Sequence, residues 1–562
     1  MLISDRHAPL PAADICVVGA GPAGLALAFK LEALGLSVLV LEAGPGEADD
    51  AVATEFSNGH LALPGAASHR GIGGTSALWG GRCVPFDDLD FEQREHVPVP
   101  GWPIGHAQIA CHYDEAASFL DAGTIAARPP GAAAGPVVTD ALEYWSKSPA
   151  LAPLYEERLR QSRRIFLAPR SSVSELICAP GGDRLTHVRV LRHDRREVIA
   201  VSRLVLAAGG LETARLLLAL QQRQPQLFGG VDGALGRYYQ GHLTGYLAVI
   251  HLADSALVGD LSFQTDAQGY RFRRRLQVAA PVQMQERLLN AVFWLDAISI
   301  SDPIHGSGSL SLLYLLMTAS GTYRWLSRGL APRPTQRRKG QLRGHLKNIR
   351  LRGVSLRRAW RTLGQIWRGV DGGVLANPAG RYLLRYHAEQ VPQPGSRVQL
   401  TEAADERPRL TVDYRVGEDD LTSVLRSHVL LDAWLSRHQL GRLEYLDDEA
   451  ERRGSVRAQA FDGYHQIGLA RMGDDSRTSV VDRDCRVHGL ANLYLAGASV
   501  FSTGGQANPT LPAVALALRL GQHLAKTHRL DHQGRKRPMA GRRDDDERVA
   551  PQARHPNAPD PA

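Results

Sequence analysis

A short apolar run, DICVV at residues 14–18, breaks into GAGPAG at Gly19–Gly24 and continues with helical spacing from Pro22 to Leu34. A second apolar run, Ser37 to Leu41, then closes on Glu42 and Gly44. Strand, glycine turn, helix and strand in that order read as a βαβ dinucleotide-binding unit. Gly19 permits the tight turn, Gly21 lets backbone approach a pyrophosphate, and Gly24 lets helix and strand pack closely. The anion belongs on the helix N-terminus at Pro22 and Ala23, where N–H groups and the dipole favour negative charge. Glu42, with Ala43 beside it, is spaced to meet the adenosine ribose hydroxyls. The bland alternative is a tight turn in some other α/β sheet.

Two further stretches belong with this unit. Gly71–Arg82 reads GIGGTSALWGGR, and glycine at that density lets backbone lie flat against a ring or a phosphate. RLVLAAGGLETARLLL, residues 203–218, reads as a buried strand, a glycine turn and an amphipathic helix, a returning element of the same sheet. SRVQL and RLTVDYRV, within residues 381–416, alternate about a polar turn and read as antiparallel strands suited to a second domain. From residue 529 the chain turns polar and proline-rich, which predicts a disordered tail.

At 562 residues the chain exceeds one simple core, so two domains are expected. The five cysteines are scattered without a CxxC pair, which suits reduced thiols and a cytoplasmic protein rather than a disulfide framework. No run is long enough to span a bilayer, and no His/Cys/carboxylate cluster has metal-ligand spacing, so no metal is expected. The net charge of +8 is local: residues 321–370 hold fourteen Lys/Arg and no Asp or Glu, and without them it is 8 − 14 = −6. Within 303–370, Leu346, Ile349, Leu356, Trp360, Leu363 and Trp367 fall near one helical face among arginines, although Gly353 interrupts the pattern. A basic amphipathic helix with tryptophans fits a peripheral membrane contact through 321–370. It equally fits an ordinary helix with a solvated basic face. No nucleic-acid module is present, and none is expected as a partner.

The C-terminal block carries chemistry. FDGYHQIGLARMG and NLYLAGASVFSTGGQANPTLPAVALALRLGQHLA place His465 and Asn508 around a strand-like run, Leu493 to Ala496, that ends in Gly497. After Asn508 a long apolar helix opens at Pro509 or Pro512. A histidine is suited to accept a hydroxyl proton near neutral pH, although a lone histidine is more often a packed core residue. An Asn before Pro is often only a turn or a cap.

The order of these blocks, with GWPI at 101–104, LGRYYQGHL at 235–243 and EQVPQPGSRVQL at 389–400, resembles the glucose–methanol–choline (GMC) flavoprotein oxidoreductases over roughly residues 12–527. Within that family the chain looks most similar to the sugar and polyol dehydrogenases and pyranose-oxidase-like enzymes. The resemblance implies an α/β fold: a Rossmann-like FAD-binding domain plus an α+β substrate domain with an antiparallel sheet. The FAD domain would comprise 1–95, 166–245 and 456–528. The substrate domain or a connecting segment at 96–165, and the substrate domain at 246–455 with its insert at 303–370, would lie between, and 529–562 would be tail.

The same resemblance implies FAD as cofactor, with the ring at the domain interface near Gly74, Thr75, Trp79, Gly80 and Ala208. Gly497 and Ala498 would face the pyrophosphate, and Asn508, Pro509 and Thr510 the pyrimidine end. Relatives that tether FAD do so through a histidine in an STHW sequence; here the aligned stretch is SALW, with Leu78 in that place, which implies noncovalent FAD. His465 is then the base that takes the hydroxyl proton as hydride passes to flavin N5, and Asn508 orients the hydroxyl. The expected partners are a small sugar, polyol or glycoside and an electron acceptor (oxygen, a quinone or a redox protein). His242 and His305 are weaker candidates for the cavity wall. The rival readings are a non-redox lyase on the same fold and a membrane-docked oxidoreductase acting on a lipid-linked saccharide.

Overall fold

A computed structural model describes residues 1–44, 54–56, 68–125, 135–320, 341–357, 377–401 and 409–535, apart from positions 4, 6, 194, 254, 356 and 378. The βαβ expectation holds: strands Ile15–Val18 and Val38–Leu41 flank the helix Pro22–Ala33 and pair in parallel. Leu204–Leu206, Leu493–Leu495 and Ile165–Ala168 complete a five-stranded sheet in which every neighbouring pair is parallel. Each residue of Ile15–Val18, Val38–Leu41, Leu204–Leu206 and Leu493–Leu495 is buried, as a sheet covered on both faces requires.

The spatial order runs 493–495, 204–206, 15–18, 38–41, 165–168, so the chain leaves Ile15–Val18 to one side first and returns to its other side later. Ligands of such sheets bind beyond the carboxyl ends of the strands at this switch. Three turns emerge there: Gly19–Gly24, Ala207–Gly210 and Gly497–Ala498. The helix Gly210–Arg223 follows the second turn, as expected.

The C-terminal helix spans Thr510–Arg535 and packs on Pro22–Ala33 so closely that a Cβ on Gly521 would lie 2.8 Å from Lys30 Cγ. It runs past the predicted start of the tail at residue 529. Arg203 reaches back to the last turns, donating to His528 Nδ1 at 3.0 Å and pairing with Asp531, so polar contacts order what hydrophobicity alone would not. Residues 536–562 lie outside the described residues.

The second large sheet is antiparallel wherever its strands pair. Gly441–Tyr445, Leu243–Leu252, Arg381–Ala388, Ala291–Asp296, Arg271–Val278, Val137–Trp145 and Arg82–Cys83 follow one another across it, with Phe263–Thr265 beside Arg271–Val278. The helices Glu418–Arg437 and Glu449–Gln459 contribute Leu421, Val424, Leu431, Leu435 and Val456 to its core. The predicted strands Arg397–Thr401 and Arg409–Asp413 do pair antiparallel, but not within this sheet. Their third partner is Thr54–Phe56, in parallel, and they pack over Ala214, Tyr239 and Leu469. Alternation specified the hairpin and not the surface it covers.

In the basic insert, Gly308–Ala319 and Gln341–Arg352 form a helical pair. His345 is buried between them, within 3.0 Å of Ser311 Oγ and 3.1 Å of the Ser301 carbonyl. His305, packed against His345 with ring centroids 5.6 Å apart, is part of this support. The helix stops at Arg352, where Gly353 takes a left-handed φ of +65°. Leu356, Trp360, Leu363, Trp367 and residues 321–340 of the insert lie outside the described residues. Among the described residues no helix is long and apolar enough to cross a membrane.

Candidate active site

The glycine motif folds for the reasons its spacing suggested. A Cβ on Gly19, at φ +102°, would sit 2.5 Å from the Ala207 carbonyl oxygen, and one on Gly24 would sit 2.0 Å from the Gly19 oxygen. A Cβ on Gly21 would meet nothing within 4 Å, and the same holds at Gly497, where φ is +122°. No side chain caps the helix at Gly21. Gly74 lies against this turn, with its added Cβ 2.8 Å from Gly21 Cα, so Gly74–Ala77, a single 3-10 turn, borders the same space.

Glu42 is buried, and its carboxylate accepts from three backbone amides: Ala20 at 2.7 Å, Gly44 at 2.9 Å and Gly71 at 2.9 Å. It therefore clamps the glycine turn to the start of the second glycine-rich loop, a role that motif spacing does not reveal. Burial raises its pKa against the opposing pull of those amides. Trp79 is fixed by donating Nε1–H to the Pro149 carbonyl at 2.7 Å, while Leu78 is 46% exposed on the same loop. Cys83 is fully buried and its pKa is pushed up, which suits a packed thiol. All five cysteines are free.

His465 lies on a loop that crosses between the two sheets. Gln240 and Ile467 form an antiparallel bridge, and this register sets His242 opposite His465. The Gly468 and Ala470 amides donate to the Ala498 and Ser499 carbonyls, and the Leu211 amide to Gln466 Oε1, which ties the loop to the carboxyl ends of the parallel strands. Gly463 and Tyr464 both take left-handed φ values, +67° and +66°; for tyrosine this is a strained conformation at the residue before His465.

Around His465 the side chains converge. Asn508 Nδ2 lies 3.2 Å from His465 Nε2, and Asn508 Oδ1 is buried with no partner. His242 Nδ1 lies 2.7 Å from His465 Nδ1. His387, on Arg381–Ala388, stacks on His242 with centroids 4.5 Å apart, and its Nε2 is likewise buried without a partner. These bare polar atoms, beside the open cradles at Gly21 and Gly497, suit a flat group with a polar edge and a hydroxylated substrate.

The electrostatics keep the histidines neutral. Burial, then the His242 ring, then Arg82 hold His465 well below the usual histidine range. Burial pushes His242 down to about 4. Arg82 belongs to a buried group in which Glu143 pairs with Arg82, Arg273 and Arg275. Burial alone would raise the Glu143 carboxyl, but Arg273, Arg82 and Arg275 outweigh it and hold it at about 2. A neutral imidazole is the form that can accept a proton.

The three histidines also bring ring nitrogens within 4.8 Å of one another, a cluster that sequence spacing gave no reason to expect. Yet His242 spends one ring nitrogen on His465 and the other on the Gly505 carbonyl at 3.0 Å. That pattern is a hydrogen-bond chain rather than three lone pairs aimed at one ion.

Comparison with known proteins agrees. The family model described as GMC oxidoreductase matches residues 392–517, and that described as FAD dependent oxidoreductase matches residues 14–278. The chain belongs to the GMC oxidoreductases. Similar relatives include the 6'''-hydroxyparomomycin C oxidase of Streptomyces lividus, 24% identical with 91% of each chain covered. Another is the paromamine 6'-oxidase of Streptomyces fradiae, also 24% identical with 91% of each covered. Among solved structures, an FAD-dependent oxidoreductase from Chaetomium thermophilum shares the fold at a TM-score of 0.50 and 17% identity, covering 92% of this chain and all of that one. This GMC enzyme is accordingly an FAD-dependent oxidoreductase acting on CH–OH groups.

His387, Arg82, Glu143 and Gly505 are the site residues that motif reading missed. Arg82 and Gly505 stood inside stretches singled out for their sequence. The others reach the site through sheet register and turn geometry, which leave no local signature.

Proposed function

We propose that this enzyme oxidises a primary or secondary alcohol on a sugar, polyol or glycoside to a carbonyl, with His465 as base. The observation that carries the reading is the half-buried pair formed by His465 Nε2 and the Asn508 amide at 3.2 Å, with His465 held neutral. A substrate hydroxyl that replaces their direct contact would donate its proton to Nε2 while its oxygen accepts from Asn508. FAD, when bound, supplies the hydride acceptor at N5. Gly19, Gly21, Pro22, Ala23, Gly24, Glu42 and Ala43 would hold the dinucleotide end of FAD. Gly74, Thr75, Trp79, Gly80 and Ala208 would border its ring. Gly497, Ala498, Asn508, Pro509 and Thr510 would complete the enclosure. The named oxidations of the two Streptomyces relatives favour a hydroxyl carried by a saccharide.

The test is anaerobic bleaching of the flavin by a panel of sugars, polyols and glycosides, with wild type beside His465→Ala. The reading requires bleaching by at least one of these substrates and its loss in the variant. Bleaching by none of them, with release of a non-oxidised product instead, would favour the lyase reading. With Leu78 in the tethering position, FAD is held noncovalently, so acid precipitation should leave the flavin in the supernatant.

A second reading concerns the insert. On Gln341–Arg352 the side chains of Leu342, Leu346 and Leu351 are exposed beside Arg343, Lys347, Arg350 and Arg352. This supports a peripheral contact with anionic lipid, worth roughly 1 kcal/mol per basic residue near the surface. Flotation with anionic liposomes, abolished by Leu342→Glu/Leu346→Glu, is the expected result; no binding by wild type removes the reading.

A further inference from the structure

The hydrogen-bond chain through the two histidines decides which nitrogen of His465 carries its hydrogen. It starts at the Gly505 carbonyl, which lies 3.0 Å from His242 Nε2. A carbonyl oxygen only accepts, so Nε2 of a neutral His242 bears the hydrogen and Nδ1 presents a lone pair. That lone pair faces His465 Nδ1 at 2.7 Å, so His465 must donate from Nδ1. A neutral imidazole has one N–H, and the lone pair of His465 therefore stands on Nε2, toward Asn508. The Asn508 contact then has one sense, Nδ2–H donating to Nε2, which also leaves Oδ1 as the atom without a partner.

The geometry points to His242 as a positioning residue that, backed by the Gly505 carbonyl, holds His465 in the tautomer whose lone pair stands at Nε2. This rests on the reading of His465 as base and adds what readies it. Each part of the chain is held. Gly505 takes φ +55°, and a Cβ there would lie 2.5 Å from Asp90 Oδ2, so only glycine turns its carbonyl this way without displacing a buried carboxylate. His387 stacks on the His242 ring with an interplanar angle of 15°, and the His242 amide donates to the Asp462 carbonyl at 3.3 Å. The His465 amide donates to that same carbonyl at 3.2 Å, so one oxygen sets the spacing of both histidine backbones. Gly505 and Asn508 stand on one turn, GGQANP, so a single loop supplies the hydroxyl-orienting amide and, through His242, the proton order of the base.

The experiment is nitrogen NMR of the holoenzyme carrying [15N]histidine, with His465 assigned by its absence in His465→Gln. Wild type should show His465 protonated at Nδ1 and bare at Nε2. In His242→Leu the acceptor is gone, and His465 should shift to the Nε2–H form or to a mixture. Its flavin reduction by a bleaching substrate should fall by on the order of 10²-fold, because a base in the wrong tautomer forfeits most of its contribution. His242→Asn, whose amide oxygen can stand in for Nδ1, should restore the Nδ1–H tautomer and recover the rate to within roughly tenfold of wild type. An Nε2–H tautomer in wild type, or an unchanged tautomer in His242→Leu, overturns the proposal. These signals are read without turnover, so they separate it from the base assignment: near-normal flavin reduction in His465→Ala would remove the base and leave the tautomer result standing.

Discussion

Asn508 Nδ2 and His465 Nε2 lie 3.2 Å apart, although one side chain stands at the mouth of the C-terminal helix and the other on a loop bonded to the antiparallel half of the molecule. The contact joins the two structural halves at the point where the three turns of the parallel sheet open. A hydroxyl that reaches both atoms meets an acceptor at one and a donor at the other.

Arg82 should shift the acid limb of the pH profile. Its charge is the third cause, after burial and the His242 ring, that holds His465 low. Arg82→Met removes a cation, so the His465 pKa should rise. Because the base works only when neutral, activity lost as pH falls should be lost at higher pH in the variant. Glu143 keeps Arg273 and Arg275 as partners, so the fold should persist. The check is kcat/KM against pH, and a limb that stays in place or moves to lower pH would contradict the electrostatic account.

Glu42 should govern FAD affinity. Its carboxylate accepts from the Ala20, Gly44 and Gly71 amides. Glu42→Gln turns an NH₂ toward at least one of these donors, at a cost of about 1–3 kcal/mol for a buried unpaired group. Borne fully by cofactor binding, that corresponds to FAD affinity weaker by roughly 5- to 150-fold. Titration of apoprotein with FAD, followed by fluorescence, measures it; a Kd within about twofold of wild type would show that the clamp is dispensable.

Arg94 and Glu389 form a buried bidentate pair, 2.6 Å at both contacts, and the Asn290 amide donates to the same carboxylate at 3.0 Å. Burial would raise the Glu389 carboxyl, but Arg94 outweighs it and holds the carboxyl below its usual range. A depressed folded pKa stabilises the protein above the unfolded value, about pH 4.3, and that stabilisation is lost as pH falls through the folded pKa. Arg94→Leu strands the carboxylate and should cost about 3–5 kcal/mol at neutral pH. Urea denaturation at pH 7 and pH 4 should show the larger gap between wild type and variant at pH 7; an equal or wider gap at pH 4 would contradict the linkage.

What the chain revealed on its own was what depends on local spacing. GAGPAG with Glu42, RLVLAAGG and the Asn508–Pro509 turn each need particular residues at fixed offsets, so each fold element stood where the sequence placed it. The His242–His465 contact depends instead on an antiparallel register between distant segments, and His387 enters only because its strand lies beside Leu243–Leu252. The hairpin Arg397–Asp413 was legible as strands, while its placement beside Thr54–Phe56 was a tertiary choice. The helix end at Arg535 was hidden for the same reason, since its last turns are ordered by Arg203 from another strand edge.

Stopped-flow reduction of the FAD-loaded His465→Ala enzyme by a substrate that bleaches wild type tests the central claim most directly. The predicted result is a rate lower by about 10²–10⁴, with FAD content unchanged and the remaining rate insensitive to pH across the wild-type acid limb. A variant reduced at close to the wild-type rate would contradict the assignment of His465 as the base.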